Sequence, residues 1–239
     1  MKLRVRVAKQ HQAIYFSHLD LLRTLERSLR RAALPLAYTQ GFSPHPRVSF
    51  AAALATGHSS EGEFIDVELT DDLDPADFVA RANRTCPPGL SFVEAREAPE
   101  GDSLQSLLNM SEYRMTLSLP AADPEGLAAG VTEFLRREAV EVTKEGKRGA
   151  HLVNIRPQVH KLSLEAVLPG PGGDGAVANL RVVLEMGNQG NLKPDDLLTG
   201  LQAVSERFRP AELVRAHRLT MYRHNPRTGA LEEPWDLVK

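Results

Sequence analysis

Apolar and polar positions alternate along this chain with two different periods, and the period changes at caps, prolines and glycines. Between Leu3 and Val7 every second residue is apolar, the two-residue period of a strand with one buried face. The alternation continues toward Ile14, Tyr15 and Phe16 and predicts a strand or hairpin leading into a helix. Across 17–34 the period becomes 3.6: Leu21, Leu22, Leu25, Leu29 and Ala32 fall on one face. Ser17 stands at the N-cap position, and Asp20 completes a capping-box pattern with Asp in place of Glu or Gln. Pro35 ends the pattern.

Segments 36–39 and 48–51 predict strand pieces around a Gly/Pro-rich stretch at 41–46. The alternation returns at 63–69, with Ile65, Val67 and Leu69 on one face. Asp74-Pro75 is an N-cap followed by a proline at the first helical position, and predicts a helix ending before Pro87-Pro88-Gly89. A strand follows at 90–95. The order is β-α-β-β-α-β, the ferredoxin-like pattern. A similar order follows: a strand at 112–119, a helix opened by Asp123-Pro124, strands at 140–143 and 159–167, a Gly-rich loop at 169–175, a strand at 180–186, a helix from Pro194 and a strand at 216–222. The fold class expected is α+β, two tandem ferredoxin-like (βαββαβ) halves, the second less regular. The divisions expected are an N-terminal domain at 1–97, a connector at 98–110, a C-terminal domain at 111–224 and a loosely docked tail at 225–239.

The totals narrow the function classes. A length of 239 residues with 42% hydrophobic and 25% charged side chains is a globular balance. No apolar run approaches the ~18 residues of a membrane span, and the alternating start is unlike a signal peptide; the expectation is a cytoplasmic protein without membrane contact. Cys86 is the only cysteine, which excludes a disulfide framework and any iron–sulfur cluster needing several thiolates from this chain.

The net charge of −2 conceals an asymmetry. Residues 1–50 hold nine Lys/Arg against two Asp/Glu, and residues 51–110 hold three against twelve. Either the basic segment faces an anionic partner, or the two segments neutralise each other within the fold. The face of the first helix opposite its leucines carries Arg23, Arg27, Arg30 and Arg31, and Arg47 follows the turn-rich segment. Guanidiniums suit phosphate through planar, bidentate contacts. Tyr38 and Phe42 have the faces on which bases stack, with Gln40 beside them to contact a base edge. The competing explanation is a solvated helix face. Arg148, Arg156, Lys161 and Lys193 form a weaker second basic group.

His18, Asp20 and His45 are expected to shape a pocket. With His58 they offer imidazole and carboxylate donors for a metal, but no tight His pair supports one, and no metal or cofactor is expected. No catalytic residue is assigned; His18 and His45 are the candidates for general acid–base work. The loop at 170–175 lacks a P-loop pattern.

Ser17-His18-Leu19-Asp20, Arg30-Arg31-Ala32, Leu34-Pro35 and Thr39-Gln40-Gly41-Phe42-Ser43-Pro44-His45-Pro46-Arg47 together resemble the radical SAM-linked (radical SAM-associated) protein family, whose biochemical activity is unassigned. Ile155-Arg156-Pro157 and Lys193-Pro194-Asp195 resemble its later motifs. The resemblance implies a radical SAM enzyme as partner and, since this chain lacks the three clustered cysteines of such an enzyme, an accessory role. The expectation is a non-catalytic protein that binds RNA and presents it to that enzyme. The alternatives are an endoribonuclease-like or RNA-modifying enzyme using His18 or His45, and a module that docks the radical SAM partner directly.

Overall fold

The computed structural model describes residues 1–99, 101–146, 149–187 and 190–237. In chain order the elements are β1 (Lys2–Lys9), α1 (His18–Arg31), β2 (Val48–Phe50), β3 (Ser59–Glu68), α2 (Pro75–Asn83), β4 (Leu90–Glu97), α3 (Leu104–Leu107), β5 (Met110–Leu119), α4 (Pro124–Arg136), β6 (Glu141–Gly146), β7 (Gly149–Asn154), β8 (Val159–Pro169), β9 (Ala176–Glu185), α5 (Pro194–Val204), β10 (Glu212–His224) and β11 (Leu231–Glu232). The class is mixed α+β with antiparallel strand pairing. The chain divides into two compact units: Met1–Asn109 with Arg218–Lys239, and Met110–His217. No helix among the described residues is long and apolar enough to cross a membrane.

In the first unit β1 is central. It pairs antiparallel with β3, Val5 opposite Ile65, and with β4, Val5 opposite Ala95. β2 pairs with β3, Phe50 opposite Ile65, and β10 also runs along β3. That approach is why residue 62 is glycine: a side chain there would collide with the backbone of Leu219 and Thr220. The alternation predicted from sequence decides what is buried. Leu3, Val5 and Val7 share a core with Ile65 and Val67 of β3, Leu21, Leu25 and Leu29 of α1, Phe78 and Ala82 of α2, and Phe92 of β4. Each Val, Leu, Ile or Phe side chain buried in this way contributes roughly 1.5–3 kcal/mol.

Charged residues are buried as well. Arg4 donates through Nε to Asp66 at 3.0 Å and through Nη1 to the Pro234 carbonyl at 3.0 Å. Glu63 receives two bonds from Arg218 Nη1, at 3.0 and 3.1 Å.

In the second unit β9 is central, pairing antiparallel with β5 and with β8. α4 and α5 contribute Leu127, Phe134, Leu197 and Leu201 to its core. β6 and β7 form a separate hairpin between α4 and β8, Val142 opposite Val153.

Several expectations are corrected. Residues 11–15 form a 3-10 turn and not strand, because His11 takes a left-handed φ of 49° that interrupts extension. Segment 36–39 contributes only the isolated bridges Leu36–Leu69 and Tyr38–Pro46. Residues 149–154 pair where no strand was expected. The C-terminal segment is no loose tail: β11 pairs with β10, and Trp235 is buried edge-on against Phe64, ring centroids 5.2 Å apart, with the Arg96 guanidinium 4.7 Å from its ring centre.

Candidate nucleic-acid interface

α1 starts where the cap chemistry requires. The Asp20 amide donates to the Ser17 hydroxyl at 3.2 Å, and that hydroxyl donates to the Asp20 carboxylate at 2.6 Å. The Ser17 hydroxyl bond holds the Asp20 carboxyl below its ordinary value, and Arg23 adds to this. With Leu21, Leu25, Ser28 and Leu29 turned into the core, Arg23, Arg27, Arg30 and Arg31 are all exposed along the opposite side. The far end of the helix is held by Arg81 of α2, which donates to the carbonyls of Ala32 and Ala33.

The fate of the nine cations in 1–50 separates the two explanations of the charge asymmetry. Lys2 and Arg4 pair with Asp66, Arg6 with Glu94 and Arg47 with Glu68. Lys9 is buried with Glu63 acting on it. Five of the nine cations therefore meet acids of the 51–110 segment, as the neutralisation reading expects. The other four are Arg23, Arg27, Arg30 and Arg31. Among the described residues none of these has a carboxylate within 4.0 Å. Their bonds go to helix carbonyls: Arg27 Nε to Arg23 O at 3.3 Å and Arg30 Nε to Glu26 O at 3.4 Å.

Arg27 and Arg31 line a cleft of about 330 Å³ whose other wall is the turn after α2. Arg84, Thr85 and Cys86 come from that turn, and Thr24 and Ser28 complete the α1 wall. Thr85 Oγ1 donates to the carbonyls of Ser28, at 2.7 Å, and Ala82, at 3.0 Å, which joins the two helices at this point. Burial pushes the Cys86 thiol up to about 11, against a smaller opposing pull from Ser28, so it stays a neutral thiol at physiological pH. Arg84 and Thr24 were not expected as site residues. Arg81 has Asp77 four residues before it and pairs with it, whereas Arg84 has Ala80 at that spacing; that Arg84 then lines the α1 cleft depends on how α2 meets α1.

The turn-rich segment closes on itself: the Thr39 amide donates to the His45 carbonyl at 2.9 Å, and the His45 amide to the Thr39 hydroxyl at 3.0 Å. His45 Nδ1 lies 4.0 Å from Glu26 Oε2, which places the segment beside α1. Tyr38, Gln40 and Phe42 are exposed, Phe42 completely. Arg47 lies apart from the α1 group, bonded to Glu68 at 2.9 Å, and lines a second cavity of about 360 Å³ with Met1, Lys2 and Glu68.

Among the described residues no hydrogen bond, ion pair or ring contact joins His18, Asp20 and His45 to one another. His18 packs edge-on against Phe50 at 5.1 Å, and its buried Nδ1 has no hydrogen-bond partner among the described residues. Asp20 bonds Ser17. His45 meets the helix at Glu26, eight residues beyond His18 and so about 12 Å along the axis. Among the described residues no group of three or more His, Cys, Asp or Glu is placed to hold a metal ion.

The second basic group is dispersed. Arg156 donates to the Leu135 carbonyl through Nε and Nη2 and to the Val159 carbonyl through Nη1, closing the end of α4. Lys193 precedes α5, and Arg148 lies outside the described residues.

Residues 2–194 match the family described as uncharacterized protein conserved in bacteria (DUF2344). The chain belongs to that family. No curated protein matches the sequence. Solved structures with similar folds include a chain of the Cbf5-Nop10-Gar1 complex, 12% identical, matched over 92% of this chain and 48% of that one with a TM-score of 0.50. A chain of an H/ACA RNP bound to a substrate RNA containing 2'-deoxyuridine also aligns, 12% identical, over 90% of this chain and 46% of that one, with a TM-score of 0.48. The DUF2344 chain thus spans about half the length of the solved chains it matches, and the likeness to the first of them is one of fold alone.

Proposed function

We propose that this DUF2344 protein is an RNA-binding accessory protein and that α1 is its phosphate-contacting element. The single observation that carries the reading is the partition of charge: five of the nine N-terminal cations meet buried or partly buried acids, and the other four lie side by side on α1, with no carboxylate within 4.0 Å of them among the described residues and only Asp20 acting on Arg23 from farther off. Four exposed guanidiniums in one stripe repel one another, and an anionic partner relieves that repulsion. Arg23, Arg27, Arg30 and Arg31 hold phosphates, Tyr38 and Phe42 stack on unpaired bases and Gln40 contacts a base edge. Arg47, already bonded to Glu68, contributes less than its position in sequence implied.

In this reading both units are ferredoxin-like. Support comes from the β4-β1-β3-β2 order of the first unit, with α1 and α2 as its crossovers, and from the β5-β9-β8 order of the second. The radical SAM enzyme as recipient of the RNA rests on the motif resemblance alone, and cytoplasmic residence on the alternating start and the lack of a membrane-length apolar run in the sequence. For the alternative of an enzyme using His18 or His45 as general acid or base, the surroundings of the two histidines, Phe50 beside His18 and Glu26 4.0 Å from His45, add no specific support.

The test is crosslinking and sequencing of the RNA that co-purifies with the protein, wild type against Arg27→Glu/Arg31→Glu. A defined RNA, enriched with wild type and lost with the variant, is the expected result. Equal recovery from both, or no enriched RNA, overturns the proposal. Capture of the radical SAM enzyme by the RNA-free protein would instead favour direct docking.

A further inference from the structure

The α1 stripe is not uniform. Arg23 and Arg30 stand on open helix surface, whereas Arg27 and Arg31 share a walled cleft with Arg84. Arg84 comes from outside the basic segment, at the C-cap of α2. Among the described residues it too has no carboxylate within 4.0 Å, unlike its neighbours Arg81, which pairs with Asp77, and Arg96, which pairs with Glu94. Three guanidiniums from two elements thus face one space of about 330 Å³ whose lining contains no acid.

The rest of the lining fits the same ligand. The Ser28 carbonyl, which would repel an anion, already accepts from the Thr85 hydroxyl and from the Ala32 amide. The Cys86 thiol is neutral. The Thr24 hydroxyl makes no hydrogen bond among the described residues and is free to donate. A carboxylate presents two oxygens in one plane, which suits a single guanidinium fork. A phosphate presents oxygens in tetrahedral directions and can accept from several forks at once.

We infer that this cleft is a phosphate seat, which fixes one phosphate of the bound RNA through Arg27, Arg31 and Arg84 while Arg23 and Arg30 make looser contacts along the strand. This deepens the RNA-binding reading and rests on it for the identity of the ligand. The phosphate is either the 5' end of a strand or an internal diester, and the seat recognises the chemistry the two share. A 5'-phosphate carries nearly two charges at pH 7 and loses one of them below about pH 6, so a terminal ligand makes binding weaken on acidification.

The experiment measures fluorescence anisotropy of a 3'-labelled short single-stranded RNA, with a 5'-phosphate or a 5'-hydroxyl, on the full chain. Wild type is compared with Arg84→Gln and Arg23→Gln, and inorganic phosphate is the competitor. Arg84 is exposed and its cap bond is made by its backbone amide, so Arg84→Gln keeps the fold, which thermal melting by circular dichroism checks. The expected result is about tenfold weaker RNA binding in Arg84→Gln, a salt slope reduced by about 0.7, a smaller effect of Arg23→Gln, and competition by inorganic phosphate that Arg84→Gln abolishes. Preference for the 5'-phosphorylated strand assigns the seat to a chain end; equal binding assigns it to an internal phosphate. Wild-type affinity in Arg84→Gln overturns the seat while leaving RNA binding by α1 intact. If wild type binds no RNA but binds inorganic phosphate by calorimetry, with loss in Arg84→Gln, the seat stands and the RNA reading falls. If wild type binds neither, both fall.

Discussion

Glu63 sits between two cations that have no access to bulk water. Lys9, Glu63 and Arg218 are exposed by only 1%, 1% and 3%, and Lys9 Nζ donates to the Phe16 carbonyl at 3.0 Å. Removing the anion strands both cations in a low-dielectric site, so Glu63→Ala is expected to cost about 3–5 kcal/mol, measured by urea denaturation. Burial lowers the Lys9 value, with Glu63 opposing and Arg218 assisting. Between that lowered value and the ordinary 10.5 the unfolded chain holds more protons than the native one. Stability therefore rises with pH across that alkaline window, and Lys9→Met should flatten the rise. Cys86 gives a simpler readout. With its thiol pushed up to about 11, its alkylation by iodoacetamide at pH 8 should be much slower than that of a free cysteine and should climb as pH approaches 11.

At the scale of elements, α1 serves two masters, since one side must enter the core and the other must stay charged. Its start depends on a single residue. Ser17→Ala removes the acceptor for the Asp20 amide and is expected to cost about 1 kcal/mol by thermal or urea denaturation. It also removes the main reason the Asp20 carboxyl titrates below its ordinary value. A carboxyl depressed in the native state contributes stability above its unfolded value, near 4, and that contribution is lost as pH falls through the native value. Wild type should therefore lose more stability than Ser17→Ala on going from neutral pH into acid. The far end of α1 is set by α2 instead: Arg81 caps its carbonyls and Thr85 bonds the Ser28 carbonyl. The phosphate seat exists only because these two helix ends are fastened together.

At the scale of the whole chain, residues from Arg218 onward cluster with the first unit. The fold of that unit needs its last segment, which supplies Arg218 to Glu63, the Pro234 carbonyl to Arg4 and the Trp235 ring to Phe64. Trp235→Ala is expected to destabilise the protein by about 3 kcal/mol. Trp235 is also the only tryptophan, so wild-type fluorescence should shift to longer wavelength on unfolding, and Arg96→Ala, which removes the stacked guanidinium, should perturb the native spectrum without unfolding the chain.

Much of this was legible in the amino-acid sequence because it depends on near neighbours. A cap bonds residues three apart, a strand's buried face repeats every second residue, and proline stops a helix by its own covalent geometry. For that reason the start of α1, the starts of α2, α4 and α5, the strands at 63–69, 112–119 and 159–167, and the arginine face of α1 follow from spacing alone. Tertiary structure decided whatever depends on residues far apart in the chain. Whether a basic side chain was neutralised turned on strand register, which placed Asp66, Glu94 and Glu68 beside Lys2, Arg4, Arg6 and Arg47 but, among the described residues, brought no carboxylate within 4.0 Å of the α1 arginines. Register likewise carried Arg218 to Glu63 across 155 positions, and packing brought Arg84 to Arg27 and Arg31. Periodicity within a segment reports which side of it is buried; which charges then meet depends on pairings that no local pattern encodes.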